Sequence, residues 1–381
     1  MSVPYWRLSN FYFFYFATLG SFLPYWNLFL KQQSFNAAQI GELSALMMAT
    51  KVISPNVWGA IADRTGKRLQ IIRFAAFFTT FLFAGFFFKS GFLWFAVMTV
   101  GYSFFWNASL PQFEAATLFH LQSEPHRYSR IRLWGSVGFI VAVLGIGRFL
   151  DTHSINSLPI IVIMLFASTW FATLIVPEIQ SVSCEKNTSS VFEIIKKPEI
   201  MAFFLVYLLL QAAHGPYYVF YSIHLKQLHY SSALIGQLWA LGVVAEIVLF
   251  LYMKKLLRVL SLRTLLLSSI FLSIGRWLMI GFAADSLYWL AGAQLLHAAT
   301  FGSSHVAAIH FIHQYFQDQH QGKGQALYAS LSFGLGGMSG SLLSGYYWDD
   351  FGAKVVYSVA AGCCLVALLV AFVWVGRKKT R

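Results

Sequence analysis

The chain is written in apolar runs with almost nothing between them. A bilayer core takes roughly 20 apolar residues per helix. Twelve such runs stand out, at about 5–30, 39–61, 68–88, 91–119, 129–150, 158–176, 199–224, 233–253, 260–282, 286–313, 323–348 and 353–376. Twelve runs in 381 residues leave about 32 for each run and its loop, so no further soluble domain fits. Composition agrees: 58% of residues are hydrophobic and only 11% are charged. Soluble domains carry about 25% charged residues, so a polytopic membrane protein is the expectation, and disorder falls away. The first run follows a short Met-Ser-Val-Pro start and lacks a small-residue cleavage site. It is expected to be a retained span and not a signal peptide.

The net charge of +13 invites a nucleic-acid reading, but its placement argues against one. Twenty of the 27 Lys and Arg fall on one side of the expected spans, among them Arg64, Lys67, Arg68, Arg130, Lys196 and Lys197. Lys31, Lys89, Arg148, Lys226 and Lys354 fall on the other, and Lys51 and Arg276 lie inside spans. The positive-inside rule then puts both termini and the polar 177–198 loop in the cytoplasm. That loop separates an N-terminal six-helix bundle, 1–176, from a C-terminal one, 199–381. Cys184, Cys363 and Cys364 give no disulfide framework.

The two halves repeat. Ile40-Gly-Glu-Leu-Ser-Ala-Leu46 returns as Ile235-Gly-Gln-Leu-Trp-Ala-Leu241, 195 residues on. The same offset pairs Leu30-Lys31-Gln32 with Leu225-Lys226-Gln227, and Gly20 with Gly215. Three matches at one offset indicate parallel half-repeats, the build of a two-bundle transporter with its site near the midplane. The offset also sets Lys51 opposite Glu246.

Ionisable groups inside spans cost roughly 2.5–3.5 kcal/mol each on insertion scales and mark function. Here they are Lys51, Glu114, Arg132, Glu246 and Arg276, with His214, His297 and His305. Lys51 is too deep to snorkel easily. It is expected to bind a substrate anion, or else to form a structural pair with a carboxylate such as Glu246. Glu114 and Arg132 lie symmetrically about residue 123, so antiparallel neighbours carry them at matching depth, where an ion pair is natural. They form either part of the substrate site or a salt bridge at the headgroups. Asn107 shares the Glu114 face at helical spacing. Glu246, alone in an apolar span, suits proton uptake and release, with Arg276 as counter-charge; the alternative is a permanent pair locking two helices. His297 can titrate near neutral pH, though a buried histidine is more often a hydrogen-bonder. Trp26 and Trp134 are candidates to stack on a ring of the substrate. The 59–68 loop, with Gly59, Asp63, Arg64, Gly66 and Arg68, can form a charge latch. No phosphate loop, nucleophile triad or metal motif stands out, so neither an enzyme nor a cofactor is expected.

The stretch from Gly59 to Arg68 resembles the signature that the major facilitator superfamily carries between its second and third helices. Closer resemblance is to the lactose-permease-like branch and the phenylpropionate permease group. Arg130-Ile-Arg132-Leu-Trp-Gly-Ser-Val-Gly-Phe139 is similar to the fifth-helix motif there. The spacing of Glu114 and Arg132 matches a substrate-binding pair of the lactose permease, and Glu246, Arg276 and Leu296-His297 resemble its coupling residues. Thr300 departs from that pattern, standing where the lactose permease has its proton-carrying glutamate. The resemblance implies an all-α membrane protein of twelve helices in two bundles, acting as a monomer in a bacterial inner membrane. It implies a proton symporter of a small organic solute, with Lys51, Glu114, Arg132, Trp134, Asn107 and Trp26 on substrate. Glu246, Arg276 and His297 would couple the proton. The five full charges sum to +1 when both glutamates are ionised, which favours an anionic substrate such as 3-phenylpropionate. A sugar or nucleoside symporter is the nearest alternative; a drug antiporter and a non-transporting sensor stand further off.

Overall fold

A computed structural model describes residues 3–121, 124–178, 191–317 and 320–376. Most of the 177–198 loop, Cys184 and the cations from Arg377 to Arg381 lie outside them. The described residues form twelve helical rods: α1 (Tyr5–Gln32), α2 (Ala37–Thr65), α3 (Arg68–Phe83), α4 (Phe92–His120), α5 (Tyr128–Leu150) and α6 (Leu158–Leu174) in the first half, then α7 (Pro198–Gln227), α8 (Ser232–Val259) and α9 (Leu262–Phe282). Rod α10 runs through Leu287–His297, a π-helical stretch Ala298–Gly302, and Ser303–Tyr315. Rod α11 starts at Gln321–Tyr328, passes a second π-helical stretch at Ala329–Gly336, and ends inside the helix Gly337–Trp374. A break at Gly352 (φ 69°) separates α11 from α12 there.

Among the described residues, seven helical stretches are membrane-spanning by length and hydropathy alone. The others fall short for physical reasons. α1, α2 and α4 carry Tyr, Trp, Asn, Ser and charged side chains that lower their hydropathy, and α10 is cut into short pieces by its π turn. Every backbone polar group within a bilayer must be satisfied internally, which helices do by construction.

Local chemistry sets several boundaries. Asn36 accepts from the Gln39 amide while the Gln39 side chain accepts from the Asn36 amide, a reciprocal cap that starts α2. Gly66 ends that helix in the left-handed region, at φ 68°. Ser261 caps α9 through the Thr264 amide.

The chain divides into two compact units: Met1–Glu185 with Ser231–Gln237, and Lys186–Tyr230 with Leu238–Arg381. In the first, α1 packs on α5 at glycines. A Cβ at Gly138 would run into the Phe13 carbonyl, and one at Gly20 would lie 2.8 Å from the Phe139 carbonyl. In the second, α7 packs on α11 in the same way, with Gly340 against the Ala212 carbonyl and Gly215 against the Gly340 backbone. Small residues let backbones touch, and van der Waals contact then holds helices that lipid does not push together. Gly20 and Gly215, paired by the sequence repeat, thus make the equivalent crossing in each half.

Candidate functional site

In the first unit, the Arg132 guanidinium of α5 meets Glu114 of α4, with Nε 3.6 Å from Oε1. Their side chains keep 32% and 36% of their exposure, so the pair remains reachable from solvent. Arg132 lies over the Phe16 ring at 3.9 Å and near the Tyr12 ring at 5.5 Å. A planar guanidinium can stack in this way while keeping its edge donors for a carboxylate or hydroxyl. Tyr128 stands beside Glu114. The floor beneath is fixed, since the Tyr12 hydroxyl donates to Thr117 Oγ1 at 3.2 Å.

Lys51 is half-buried on α2. Among the described residues no hydrogen bond or ion pair reaches its ammonium. Its neighbour Thr50 is tied down: Asn107 Nδ2 donates to Thr50 Oγ1 at 2.8 Å, and Thr50 and Ser103 hydroxyls are 2.9 Å apart. Asn107 therefore orients the turn that carries Lys51. Trp26 has Phe22, Phe29, Phe83 and Phe86 as ring partners and is 6% exposed, so it sits in the packed aromatic core. Trp134 donates its indole N–H to the Tyr5 hydroxyl at 3.1 Å and meets Trp6 edge-on.

The 59–68 segment closes on itself. Arg68 pairs with Asp63 at 2.8 Å and donates to Gln112 Oε1 on α4. Gly59 lies against Gln112 Nε2, and Arg64 is exposed.

The second unit holds a sealed cage around Arg276, which is fully buried. Nε donates to the Ala293 carbonyl at 3.0 Å and Nη1 to Thr300 Oγ1 at 3.3 Å. The guanidinium also lies over the Tyr217 and Trp277 rings at 4.4 and 4.5 Å. Tyr217 donates to Gln294 Oε1 at 2.9 Å. Six polar atoms of this cage have no hydrogen-bond partner among the described residues: Arg276 Nη2, Gln294 Nε2, His297 Nδ1, His214 Nε2, the Tyr221 hydroxyl and Trp277 Nε1. Buried polar groups are paired in the great majority of cases, so this concentration sets the cage apart from an ordinary apolar core. His297 stacks on Phe301, their ring centroids 5.3 Å apart. It stands at the last α-helical turn before the π stretch, a distortion frequent at functional sites. Glu246 reaches the same stretch, its Cγ 3.3 Å from where a Cβ on Gly302 would lie. Glu246 and Arg276 both flank Tyr218.

Each half therefore presents polar and charged groups inside spans, one set reachable and one sealed, and no group of His, Cys, Asp or Glu that could hold a metal ion occurs among the described residues. Sequence comparison decides the family. A match to the MFS_1 like family runs over residues 5–359. The chain belongs to that family. It is a major facilitator secondary transporter, a multi-pass membrane protein and not an enzyme, and it carries no cofactor. It is 28% identical over 362 residues to the Escherichia coli (strain K12) "Probable 3-phenylpropionic acid transporter", covering 94% of this chain and 93% of that protein. It is 24% identical to the Geobacillus stearothermophilus "Maltose permease" over 97% of this chain and 94% of that one. The fold matches the crystal structure of a point mutant of the nucleoside transporter NupG with a TM-score of 0.88 at 17% identity, covering 97% and 99% of the two chains.

For this facilitator, sequence reasoning reached the charged residues and missed the groups that hold them. Gln294 is one, fully buried on α10 with its amide N–H unpartnered among the described residues. Its signal was a lone amide in Leu290-Ala-Gly-Ala-Gln-Leu-Leu-His297, where it is the one polar group before the histidine. Thr300, marked in the sequence only as a departure from the lactose-permease pattern, anchors Arg276.

Proposed function

We propose that this transporter is a proton-coupled symporter of a small aromatic monocarboxylate, such as 3-phenylpropionate, working by alternating access. Lys51 carries the argument. An ammonium inside a span, with no hydrogen bond or ion pair among the described residues, bears an uncompensated desolvation cost. A substrate carboxylate offsets that cost on binding, and a neutral solute does not. The Escherichia coli relative supports the same substrate class. Arg132, stacked on Phe16 and facing Glu114, supplies the second polar contact.

Glu246 takes up and releases the coupled proton, with Arg276 and His297 setting its field. Protonation of one intramembrane glutamate makes the remaining charge more positive, which draws in the anion, so proton and carboxylate travel together. The Asp63–Arg68–Gln112 latch gates one face, with Gly59, Arg64 and Gly66 shaping its turn. Both termini lie in the cytoplasm, on the side rich in Lys and Arg.

The test is uptake of labelled 3-phenylpropionate into proteoliposomes with an imposed pH gradient. Accumulation that collapses with an uncoupler, and that benzoate-type acids inhibit, supports the reading. Uptake indifferent to the gradient would sink the coupling. A sugar reading is favoured by the Glu114–Arg132 pair and the maltose permease relative, and inhibition by maltose but not by aromatic acids would select it.

A further inference from the structure

At the end of the second unit where α7, α9 and α11 finish, the structure holds a cavity of about 350 Å³ that the transport reading leaves unused. It is lined by His224 and Gln227 from α7, Phe282 and Asp285 from the end of α9, and Phe351 and Lys354 on either side of the Gly352 break. This end is the one poor in Lys and Arg, so the orientation proposed above makes it extracytoplasmic.

The charges in it are arranged for a ligand with two opposite charges. Asp285 and Lys354 both line the cavity and both are exposed, yet no ion pair joins them, and neither head group makes a hydrogen bond among the described residues. His224 lines the wall with a buried Nε2 that has no partner among the described residues, and Asp285 stands near it and near Tyr230. The Tyr230 hydroxyl is itself committed, donating to the Ala284 carbonyl at 2.9 Å, which fixes the loop that presents Asp285.

The rim is apolar. Phe282 and Phe351 are each 55% exposed, and Tyr288, Trp289 and Tyr347, close to them in sequence, are exposed too. Aromatic side chains of this kind gather at the level of lipid headgroups. A cavity with separated opposite charges, opening on such a belt, matches an amphiphile with a zwitterionic head and apolar tails.

We propose that this cavity is a binding site for an aminophospholipid of the phosphatidylethanolamine class in the extracytoplasmic leaflet. Asp285 receives the primary ammonium, Lys354 and His224 receive the phosphate, and the acyl chains leave over Phe282 and Phe351. The size suits a single small ligand head.

The test is native mass spectrometry of the full-length protein in detergent, with phosphatidylethanolamine and phosphatidylglycerol of equal chain length added in equal amounts. Both lipids carry the phosphate and only the first carries the ammonium. The wild type retains the ethanolamine lipid roughly fivefold better, as one surface charge contact provides. Asp285→Asn removes that preference, Lys354→Gln lowers retention of both lipids, and both variants keep the wild-type melting temperature because both side chains are exposed. Equal retention of the two lipids by the wild type overturns the proposal. So does an unchanged preference in Asp285→Asn. Deacylated glycerophosphoethanolamine competing as well as the lipid would assign the site to a free zwitterion and overturn the lipid assignment.

Discussion

Arg73 and Arg263 perform the same service in the two halves. Arg73 of α3 donates to the Thr173 and Val176 carbonyls at the end of α6, at 3.4 and 2.9 Å. Arg263 of α9 donates to the Phe372 and Val375 carbonyls at the end of α12, at 2.6 and 2.9 Å. In each unit the third helix caps the sixth, across two carbonyls three residues apart. The last carbonyls of a helix lack intrahelical donors and carry the negative end of its dipole, so a guanidinium suits both needs.

Removal of either arginine should therefore cost stability without touching transport chemistry. Arg73→Ala and Arg263→Ala are each expected to destabilise the protein by about 1–2 kcal/mol, the worth of charge-assisted hydrogen bonds at a helix end. Thermal melts in detergent would show it, with initial uptake rates per folded molecule unchanged.

Lys51 predicts the opposite pattern. Lys51→Met removes an uncompensated cation and keeps the side-chain length. It should raise the melting temperature, by about 1 kcal/mol or more in stability, while abolishing carboxylate uptake. A fall in melting temperature would show that Lys51 belongs to a structural ion pair, and would count against it as the substrate ligand.

Arg132 stacks on Phe16 as well as facing Glu114. Arg132→Lys keeps the charge and loses the plane, so substrate affinity should drop about tenfold, equivalent to about 1.4 kcal/mol. Equilibrium binding of labelled substrate in detergent measures it directly.

Glu246→Gln separates coupling from binding. Uphill uptake driven by a pH gradient should disappear, while exchange of internal for external substrate continues. Loss of both activities together would place Glu246 in the substrate site instead.

The glycine crossings make the sharpest structural forecast. Gly138→Val and Gly340→Val push a branched side chain into a neighbouring backbone carbonyl and should cost about 2–4 kcal/mol, enough to lose folded protein on size-exclusion chromatography. Gly145→Ala and Gly362→Ala, where nothing lies within 4 Å, serve as neutral comparisons.

The legible part of this protein was its periodic and charged part. Apolar run length located the rods to within a few residues, because the bilayer fixes helix length. The spacing of Glu114 and Arg132 foretold their meeting, because a short loop between antiparallel helices leaves little freedom. The 195-residue offset paired Gly20 with Gly215, and both turned out to sit at close crossings. Composition could not tell lipid-facing from buried aromatics, which is why Trp26, expected near the substrate, lies among Phe22, Phe29, Phe83 and Phe86. Nor could it show the Arg276 cage. Those partners come from α7, α9 and α10, and no local pattern records which apolar faces converge.

The π-helical stretch at Ala298–Gly302 has a consequence for how α10 tolerates change. A π turn houses one residue more than an α turn. Deleting a single residue there would let the rod run as uninterrupted α-helix, and because the wide turn already lags an α-helix by about the 100° of one residue, everything beyond it would keep its present facing. His305 would stay against the Tyr328 hydroxyl, and His297 would stay in place. The π turn therefore takes up one residue locally and keeps both segments of the rod in register with their neighbours. A single-residue deletion at this point would be absorbed, whereas the same deletion in a regular α-helical part of the rod would rotate all that follows by about 100° and aim it at the wrong neighbours.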